Sequence, residues 1–509
     1  MSALQLFSIG LLLCSTHALT GQTPNRPVPP DVLAYEFVLH DSSYQGYYLT
    51  TPFLLGNIVG TEPKPLLVLD SRGYIFWYSL VNAWNTLDFK FNPEYQQYQF
   101  IKYSNPQTVQ YVLMDTGFNL IDSFTTVNDI RPDVHDFQLS KTGTALLAGV
   151  HDSILDLSAY QFSGSQGSGS TRVLGFVVQE LDADRKVVFQ WNSNEHIHPG
   201  DSYVGYPYHP ASFDYCHGNT IEEEPDGNLL LSFRNLNAVY KIDRQTGAIL
   251  WQLGGKFSDF SFANDGGFSG QHDVRRLPNG NIAMFDNANM AAPPQHSRAV
   301  EYQLDTVQWV ATKIWEYQYS PAFFSSAMGG HQTTADRRHL INYGLNYRPD
   351  PSFVLVDDGG ARLSELFFQD SVMSYRAALA DLPLGNAQRP QIFCTQQGGL
   401  VTLSGPPDHT TYAWSTGETT AEITVQTPGE YQLWVNYGSG MLGSEPVVID
   451  DVNSACMLNS TAESEPAGGT STIFGWYDLL GRQVTPPSVP TGQLWVVRYA
   501  DGKMRVKVY

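Results

Sequence analysis

Four histidines occupy the same position in a repeated pattern of the sequence. His135, His217, His272 and His331 each begin a segment in which an alternating strand, a turn and a second strand follow. These segments span residues 135–149, 217–234, 272–286 and 331–344. An imidazole can act as a nucleophile, a general acid or base, or a metal ligand. A single histidine is more often structural, but four at one repeat position predict a shared site.

The His217 segment contains a further candidate for chemistry, Arg234. The Asp-Gly pair at 226–227 favours a two-residue hairpin turn, and this register places Asn219 opposite Arg234. Side chains alternate along a strand, and directly opposite residues share a face. His217, Asn219 and Arg234 are therefore predicted to form one cluster.

Arg234 lies in an otherwise apolar segment, LLLSFRN. A guanidinium there is costly unless it meets an anion, so the position favours an anionic ligand over a surface ion pair. In the next repeat, the same register around Asn279-Gly280 places Asn287 opposite His272. Both hairpins thus predict polar groups beside a histidine.

A second type of hairpin alternates with the first and ends in an aromatic residue. It has an Asp- or Gly-centred turn, and its six copies span residues 66–77, 111–124, 176–191, 239–251, 299–315 and 353–367. Two hairpins per unit make four strands, and six units predict an all-β fold, a six-bladed β-propeller, rather than an array of β-sandwiches. If the histidine strands are innermost, all four histidines open onto one mouth of the channel.

Composition restricts the classes of partner. Hydrophobic residues make up 42% of the chain, aromatic residues 13% and charged residues 16%, which is typical of a rigid β-rich extracellular protein. The net charge of −21 argues against nucleic acid and anionic membranes as partners. An anionic substrate therefore requires a local cluster of positive groups.

The N-terminus predicts export. Residues 4–14 (LQLFSIGLLLC) have the length of a signal-peptide apolar region, so residues 1–22 are interpreted as a signal peptide rather than a buried strand. The mature protein is expected to pass through the periplasm to the cell surface or the medium. An oxidising location permits a Cys394–Cys456 disulfide and leaves Cys216 as a lone thiol beside His217.

Composition shifts divide the rest of the chain. We expect the propeller at residues 28–385, a β module at 391–457, a Ser/Glu/Gly-rich linker at 458–470 and a short β unit at 471–509. The module resembles immunoglobulin-like modules of secreted bacterial proteins, with Trp414 as its core residue.

Several segments together resemble the bacterial arylsulfotransferases. These are HDFQL, HGNTI, SFRNLNAVYKID, TGAILWQLGG and QHDVRRLPNGNI, within a resemblance that covers residues 31–384. The resemblance implies a six-bladed propeller with its site in the central channel. It implies that His272 carries the sulfuryl group transiently, that His217, Arg234 and His135 are the other catalytic residues, and that Asn219 binds substrate.

His331 and Thr333 match the family only by repeat position, as substrate-binding residues. The implied reaction transfers a sulfuryl group from an aryl sulfate to a phenol, without a nucleotide donor, a metal or another cofactor. A homodimer is compatible with the resemblance. The chain departs from periplasmic members by lacking their disulfide near the site and by an N-terminal sandwich shortened to residues 28–60.

The C-terminal residues 471–509 resemble the sorting domain of type IX secretion. The motifs are YDLLGR, PTG followed by the alternating WVVR, and a DGK turn before a final strand. The resemblance implies a bacterial protein that uses the type IX secretion machinery as a partner. A small structural β domain is the alternative.

Two other functions are compatible with parts of the sequence. Four histidines on a propeller axis can bind non-haem iron, as in carotenoid oxygenases, but Arg234 would repel a cation and Asn219 gives a metal-bound histidine no anionic support. A non-catalytic secreted binding protein is the second alternative. The combined set of His135, His217, Arg234 and His272 favours the enzyme.

Overall fold

The computed structural model describes residues 25–54, 63–162, 165–205, 212–346, 349–369, 371–382, 387–397 and 399–452. It also describes the backbone of four later strands, Ile473–Tyr477, Gln483–Val484, Leu494–Tyr499 and Met504–Val508. The expected signal peptide and linker lie outside the described residues. Contacts divide the chain into two units, Met1–Leu458 and Asn459–Tyr509.

Six antiparallel sheets of four strands form the main body, numbered here as blades in the chain order of their innermost strands. From inside outward, blade 1 contains Asn85–Asn92, Gln97–Asn105, Thr108–Met114 and Leu120–Phe124. Blade 2 contains Arg131–Leu139, Ala145–Leu155, Thr171–Leu181 and Val187–Asn192, with a small hairpin of Gln161–Phe162 and Ser165–Gln166 inserted. Blade 3 contains Gly218–Glu223, Leu229–Phe233, Ala238–Ile242 and Ile249–Gly254.

The remaining blades carry additional strands at their outer edges. Blade 4 contains His272–Arg276, Ile282–Asp286, Arg298–Asp305 and Val310–Tyr317, followed by Ser261–Phe262. Blade 5 contains Gly330–Thr333, His339–Asn342, Phe353–Val356 and Arg362–Phe368, followed by Tyr35–Leu39. Blade 6 contains Val372–Ala380, Tyr47–Leu54, Lys64–Leu69 and Ile75–Val81.

The innermost strands form a closed ring. Each contacts the innermost strand of the next blade, and that of blade 6 contacts that of blade 1. Apolar clusters fill the gaps between the blades, such as Trp191, Phe233 and Tyr240 between blades 2 and 3. The predicted all-β class and six-bladed propeller are therefore confirmed.

Blade 6 closes the ring with strands from both ends of the propeller sequence. Tyr47 pairs with Ala380, so Tyr47–Leu54 is a blade strand. Tyr35–Leu39 pairs with the outer strand of blade 5. The expected remnant of an N-terminal sandwich is thus wrong for these strands, because a half-buried strand pattern does not reveal a partner so distant in sequence.

All six predicted outer hairpins are confirmed by their strand pairing. An aspartate starts each turn, and its carboxylate accepts backbone N–H groups two to four residues further on: these residues are Asp70, Asp115, Asp182, Asp243, Asp305 and Asp357. This local hydrogen bonding explains why the Asp-centred turns recur in the sequence.

The predicted two-residue turn of the blade 3 inner hairpin is wrong. Glu224 N–H donates to the Asn228 carbonyl at 2.9 Å, so three residues form the loop. Pro225 presets the first turn position, and Gly227 takes φ +84°, which suits a glycine. The register moves by one residue, Glu223 pairs with Leu229, and Asn219 does not face Arg234.

The β module contains the fully buried Trp414, as predicted. Its strands form the sheet Phe393–Gln397, Leu400–Ser404 and Glu422–Val425 and the pair Gly429–Tyr431 and Val447–Ile449. Three others continue the sheet of blade 6 outward: Gly440–Gly443, Leu433–Tyr437 and Tyr412–Trp414. Cys394 is disulfide-bonded, and its expected partner Cys456 lies outside the described residues. The immunoglobulin-like identity stays a prediction.

The unit Asn459–Tyr509 has one antiparallel sheet with the strand order Gln483–Val484, Ile473–Tyr477, Leu494–Tyr499 and Met504–Val508. Its identity as a sorting domain stays a prediction. In the described ranges, the helical elements are the short 3₁₀ turns Ser193–Glu195, Pro199–Asp201 and Arg234–Leu236. None of the described helices has the length and hydrophobicity required to cross a membrane.

Candidate active site

Three histidine-bearing strands leave regular pairing where their histidines lie. In blade 2 the pairing is interrupted between Pro132 and Phe137, and blades 3 and 4 have irregularities that begin at Gly218 and His272. His217 itself takes φ 51°, a left-handed conformation that is costly for a non-glycine residue. Bulges of this kind turn side chains out of the strand ladder. The local irregularity therefore frees these histidines to face a common space.

His272 is held in a single tautomer by Asn287. The Asn287 amide donates to the carbonyls of Ser325 and Met328 at 2.8 and 3.0 Å, so its oxygen faces His272 Nδ1 at 2.7 Å. An amide oxygen only accepts hydrogen bonds, so Nδ1 carries the proton. Nε2 keeps its lone pair, toward which the Met328 N–H points at 3.3 Å.

The surroundings of His272 also keep it uncharged. The residue is only 2% exposed. Burial lowers its pKa well below the ordinary value, and the positive charges of Arg234, His135 and His217 lower it further, outweighing the hydrogen bond that Nδ1 donates to the Asn287 oxygen. A neutral imidazole with an unprotonated Nε2 is the form required of a nitrogen nucleophile, and an incoming sulfur must take the place of the Met328 N–H on that nitrogen.

His217 is in the opposite electrostatic situation. Its Nδ1 lies 2.6 Å from Asp214 Oδ2, and its backbone N–H also binds this carboxylate. Burial disfavours the charged ring, but Asp214 and then Asp133 outweigh burial and raise the pKa of His217. With Nδ1 engaged, Nε2 is the nitrogen that can exchange a proton with a ligand.

His135 repeats the carboxylate pairing and adjoins His217. Its Nδ1 lies 2.6 Å from Asp133 Oδ1, and the two imidazole centroids are 4.7 Å apart. The Tyr375 hydroxyl donates to the His135 carbonyl at 3.0 Å. These contacts fix the second ring at the edge of the first.

Arg234 supplies a positive charge to the same region. Its guanidinium donates to the Asn235 side chain at 3.0 Å and to the Ser326 carbonyl at 3.1 Å, which are neutral acceptors. Among the described residues, no carboxylate forms an ion pair with it. The charge therefore remains available to an anionic ligand, as the sequence suggested.

The remaining predicted site residues make hydrogen bonds within the fold. The Asn219 amide donates to the Gln271 carbonyl at 2.7 Å, and the residue is fully buried. The three-residue turn shifts the register, so Asn219 does not face Arg234 and the predicted pairing of these two residues is wrong. That Asn219 binds substrate stays a prediction.

The expected convergence of all four histidines is also wrong. His331 Nε2 lies 3.0 Å from His339 Nδ1, and its ring stacks on Trp315. Thr333 Oγ1 lies 3.2 Å from the same His339 nitrogen. Blade 5 pairs without a bulge from Gly330 to Thr333, so His331 stays in the ladder. The structure brings together three histidines, not the four that the iron hypothesis requires.

The sequence reasoning missed the carboxylates that orient the site. Asp133 lies two residues before His135 and Asp214 three residues before His217, and this spacing is the signal that could have found them. A buried ion network that begins directly after His135 was also missed, with Asp136 accepting from Arg275 at 3.0 Å and from Lys90 at 3.2 Å. Its partners come from several blades, so no local motif reveals them.

Two cavities adjoin this part of the propeller. One of about 100 Å³ is lined by Arg131, Asp133, Asp214 and His217. A larger one of about 790 Å³ lies between blades 3 and 4 and contains none of the three site histidines. Of these two cavities, the smaller one is therefore the one that a site histidine, His217, lines. Within the described ranges, no group of three or more His, Cys, Asp or Glu residues is arranged to hold a metal ion.

Residues 104–348 match the model of a family described as arylsulfotransferase (ASST). The matched range contains the three site histidines and Arg234. No curated protein matches the chain significantly.

Solved structures are similar in fold only. A protein of unknown function from Bacteroides caccae has 10% identity and a TM-score of 0.41, covering 66% of this chain and 99% of its own. The periplasmic gluconolactonase PpgL of Pseudomonas aeruginosa has 14% identity and a TM-score of 0.36, and the match covers 80% of this chain and 99% of the gluconolactonase. TolB from Acinetobacter baumannii has 13% identity and a TM-score of 0.35, covering 66% of each chain. Similarities at this level carry no functional argument.

Proposed function

We propose that the protein transfers a sulfuryl group from an aryl sulfate to a phenolic acceptor through a sulfohistidine at His272. The match of residues 104–348 to the arylsulfotransferase family supports a sulfotransferase. The observation that carries the mechanism is the pairing of His272 Nδ1 with Asn287, which leaves Nε2 as a neutral nucleophile in a positively charged surrounding.

In the first step, the Nε2 lone pair of His272 attacks sulfur and the bond from sulfur to the aryl oxygen breaks. The departing oxygen takes the proton of His217, whose raised pKa favours the charged ring. Arg234 offsets the negative charge on the sulfuryl oxygens, and the His135 ring packs against His217 and fixes its position. The products are a sulfohistidine and a phenol.

In the second step, neutral His217 takes the proton of an acceptor phenol, and the phenol oxygen attacks sulfur. The bond from Nε2 to sulfur breaks and its electron pair returns to His272. The enzyme regains its starting protonation state, so this cycle uses no nucleotide sulfate, metal or other cofactor.

The test is incubation with 4-nitrophenyl sulfate and phenol. We expect release of 4-nitrophenol that depends on phenol, and loss of this activity in His272→Ala by a factor of about 10³ or more. With a ³⁵S-labelled donor, the wild-type protein should become labelled and His272→Ala should not. Release that survives His272→Ala would exclude this residue as the nucleophile.

We also propose that the protein is exported through the periplasm and delivered to the cell surface or medium by type IX secretion. The sequence motifs of the C-terminal unit support this proposal. Deleting residues 471–509 should retain the protein in the periplasm. Unchanged delivery after this deletion would refute the sorting role.

A further inference from the structure

The innermost strand of blade 6 places one guanidinium in the middle of the ring. Arg376 is buried, with its side chain 5% exposed. It donates to the Asn219 carbonyl at 2.7 Å and to the carboxylates of Asp88 and Asp136 at 3.2 and 3.4 Å. Its Nε lies 3.5 Å from Asp273 Oδ1. The four partners belong to the innermost strands of blades 1, 2, 3 and 4.

Three of the four partners adjoin the site histidines in sequence. Asp136 directly follows His135, Asn219 lies two residues after His217, and Asp273 directly follows His272. One side chain is therefore bonded or ion-paired to each of the three strands that present the site.

Two of the residues that Arg376 contacts have a left-handed backbone conformation. Asp88 and Asp273 take φ values of 52° and 53°, which are strained for residues with a side chain. Lys90 and Arg275 bind the same two carboxylates at 2.6 and 3.0 Å. Strained conformations persist where surrounding contacts hold them, and these cations supply such contacts.

We propose that Arg376 is a positioning residue, which holds the strands bearing His135, His217 and His272 in the register that aims their rings at one substrate. The inference rests on the proposed function for its kinetic readout. It also links the site to ring closure, because the strand that closes the propeller delivers the guanidinium.

The variants Arg376→Lys and Arg376→Gln test this role. Lysine keeps the charge, but its single ammonium cannot contact the carboxylates of Asp88 and Asp136 and the Asn219 carbonyl at the same time. We expect kcat for 4-nitrophenyl sulfate to fall roughly 10- to 100-fold, with KM within about twofold of wild type. Arg376→Gln should lose more, because it leaves the aspartates uncompensated.

Arg244→Gln is the matched control. Arg244 also makes an inter-blade ion pair, with Glu180 of blade 2, and a second pair with Glu223 of its own blade, but it adjoins no site histidine. We expect its kcat to equal that of the wild type. An equal loss of kcat in Arg244→Gln and Arg376→Lys would overturn the positioning role.

A second readout does not depend on turnover. In ¹⁵N spectra of the histidine rings, wild-type His272 should show a protonated Nδ1 and an unprotonated Nε2. In Arg376→Lys, we expect changed signals for the three site histidines and an unchanged signal for His196, which stacks on Trp191 away from them. If the wild type does not turn over aryl sulfates, the proposed function fails and these spectra still decide the inference. Unchanged spectra would overturn the positioning role. Unfolding of Arg376→Lys would also overturn it, because Arg376 would then serve only to close the ring.

Discussion

His217 and His272 present their Nδ1 atoms to different acceptors, and this difference separates their proton affinities. A carboxylate faces His217 and favours the charged ring, whereas an amide oxygen faces His272 and adds no charge. Burial then dominates at His272 and lowers its pKa. Two identical side chains thus become suited to acid–base catalysis and to nucleophilic attack.

The pH dependence of activity follows from these directions. The proposed first step needs neutral His272 and charged His217. The pKa of His272 is lowered and that of His217 is raised relative to the ordinary value of about 6.5. We therefore expect kcat/KM to fall in acid, well below this pH, as His272 becomes protonated, and to fall in alkali, above this pH, as His217 loses its proton. Between these two limbs kcat/KM should be constant. Asp214→Asn should move the alkaline limb to lower pH and leave the acid limb in place. Measurement of kcat/KM for 4-nitrophenyl sulfate across pH checks this, and an unmoved alkaline limb would remove His217 from the acid role.

The variant Asn287→Asp should change the protonation of the proposed nucleophile, His272. A carboxylate against Nδ1 would raise the pKa of His272 and charge it near neutral pH, so the acid limb of kcat/KM should move up by about one unit or more. The matched control is Asn289→Asp, because the side-chain amide of Asn289 donates to the Ser326 carbonyl and makes no hydrogen bond to a histidine within the described residues. The same shift in both variants would show a general charge effect and contradict the tautomer argument.

At the scale of strands and turns, the sequence predicts what is local. The Asp-centred turns identify all six outer hairpins, because each aspartate bonds to the backbone of its own turn. The inner hairpins are found as well, but the registers predicted for blades 3 and 4 are wrong, since their turns are the three-residue loops 225–227 and 278–280. His272 pairs with Phe285, although its side chain still reaches the predicted neighbour Asn287. A shift of one residue exchanges the two faces of a strand, which is why Asn219 was misplaced.

The bulges explain why repeat position identifies three site histidines and fails for the fourth. No residue pattern in the sequence marks the irregularity at His217 or its absence at His331. Bulges depend on contacts to other blades, such as those of Arg376 with the aspartates. Such contacts join residues far apart in sequence, so single-chain patterns do not predict them.

The variant His331→Phe tests whether His331 acts in catalysis, as its repeat position predicts, or only stabilises blade 5, as its contacts indicate. A phenylalanine can keep the stack on Trp315 and loses the hydrogen bond to His339. We expect kcat within about twofold of the wild type and a destabilisation of about 1 kcal/mol. Kinetics with 4-nitrophenyl sulfate and denaturant unfolding measure the two effects. A kcat loss of tenfold or more at unchanged stability would return His331 to the site.

At the scale of the whole molecule, the β module covers an edge of the propeller. Leu442 pairs with Trp77 on the outer strand of blade 6, and Arg389 binds Asp70 at 2.7 Å and the Gly443 and Ser444 carbonyls. An uncovered outer strand would offer unpaired backbone groups to other chains. The module therefore protects the blade at which the ring closes.

Truncation measures this protection. A chain that ends after Pro390 should unfold at lower temperature and aggregate more than one that ends after Leu458, because only the former exposes the Ile75–Val81 edge. Calorimetry and light scattering compare the two chains under the same conditions. Equal melting temperatures and equal scattering would show that the module contributes nothing to the propeller.

The pairing of Tyr47 with Ala380 has a consequence for how the protein is made. A strand near the start of the propeller waits for a partner that is synthesised almost at its end, and such long-range closure is slow because the chain between them must first be ordered. Arg376 arrives on that same late strand. Partly synthesised chains therefore contain all three site histidines without the group proposed to align them, so catalytic competence should emerge abruptly, at the final event of folding.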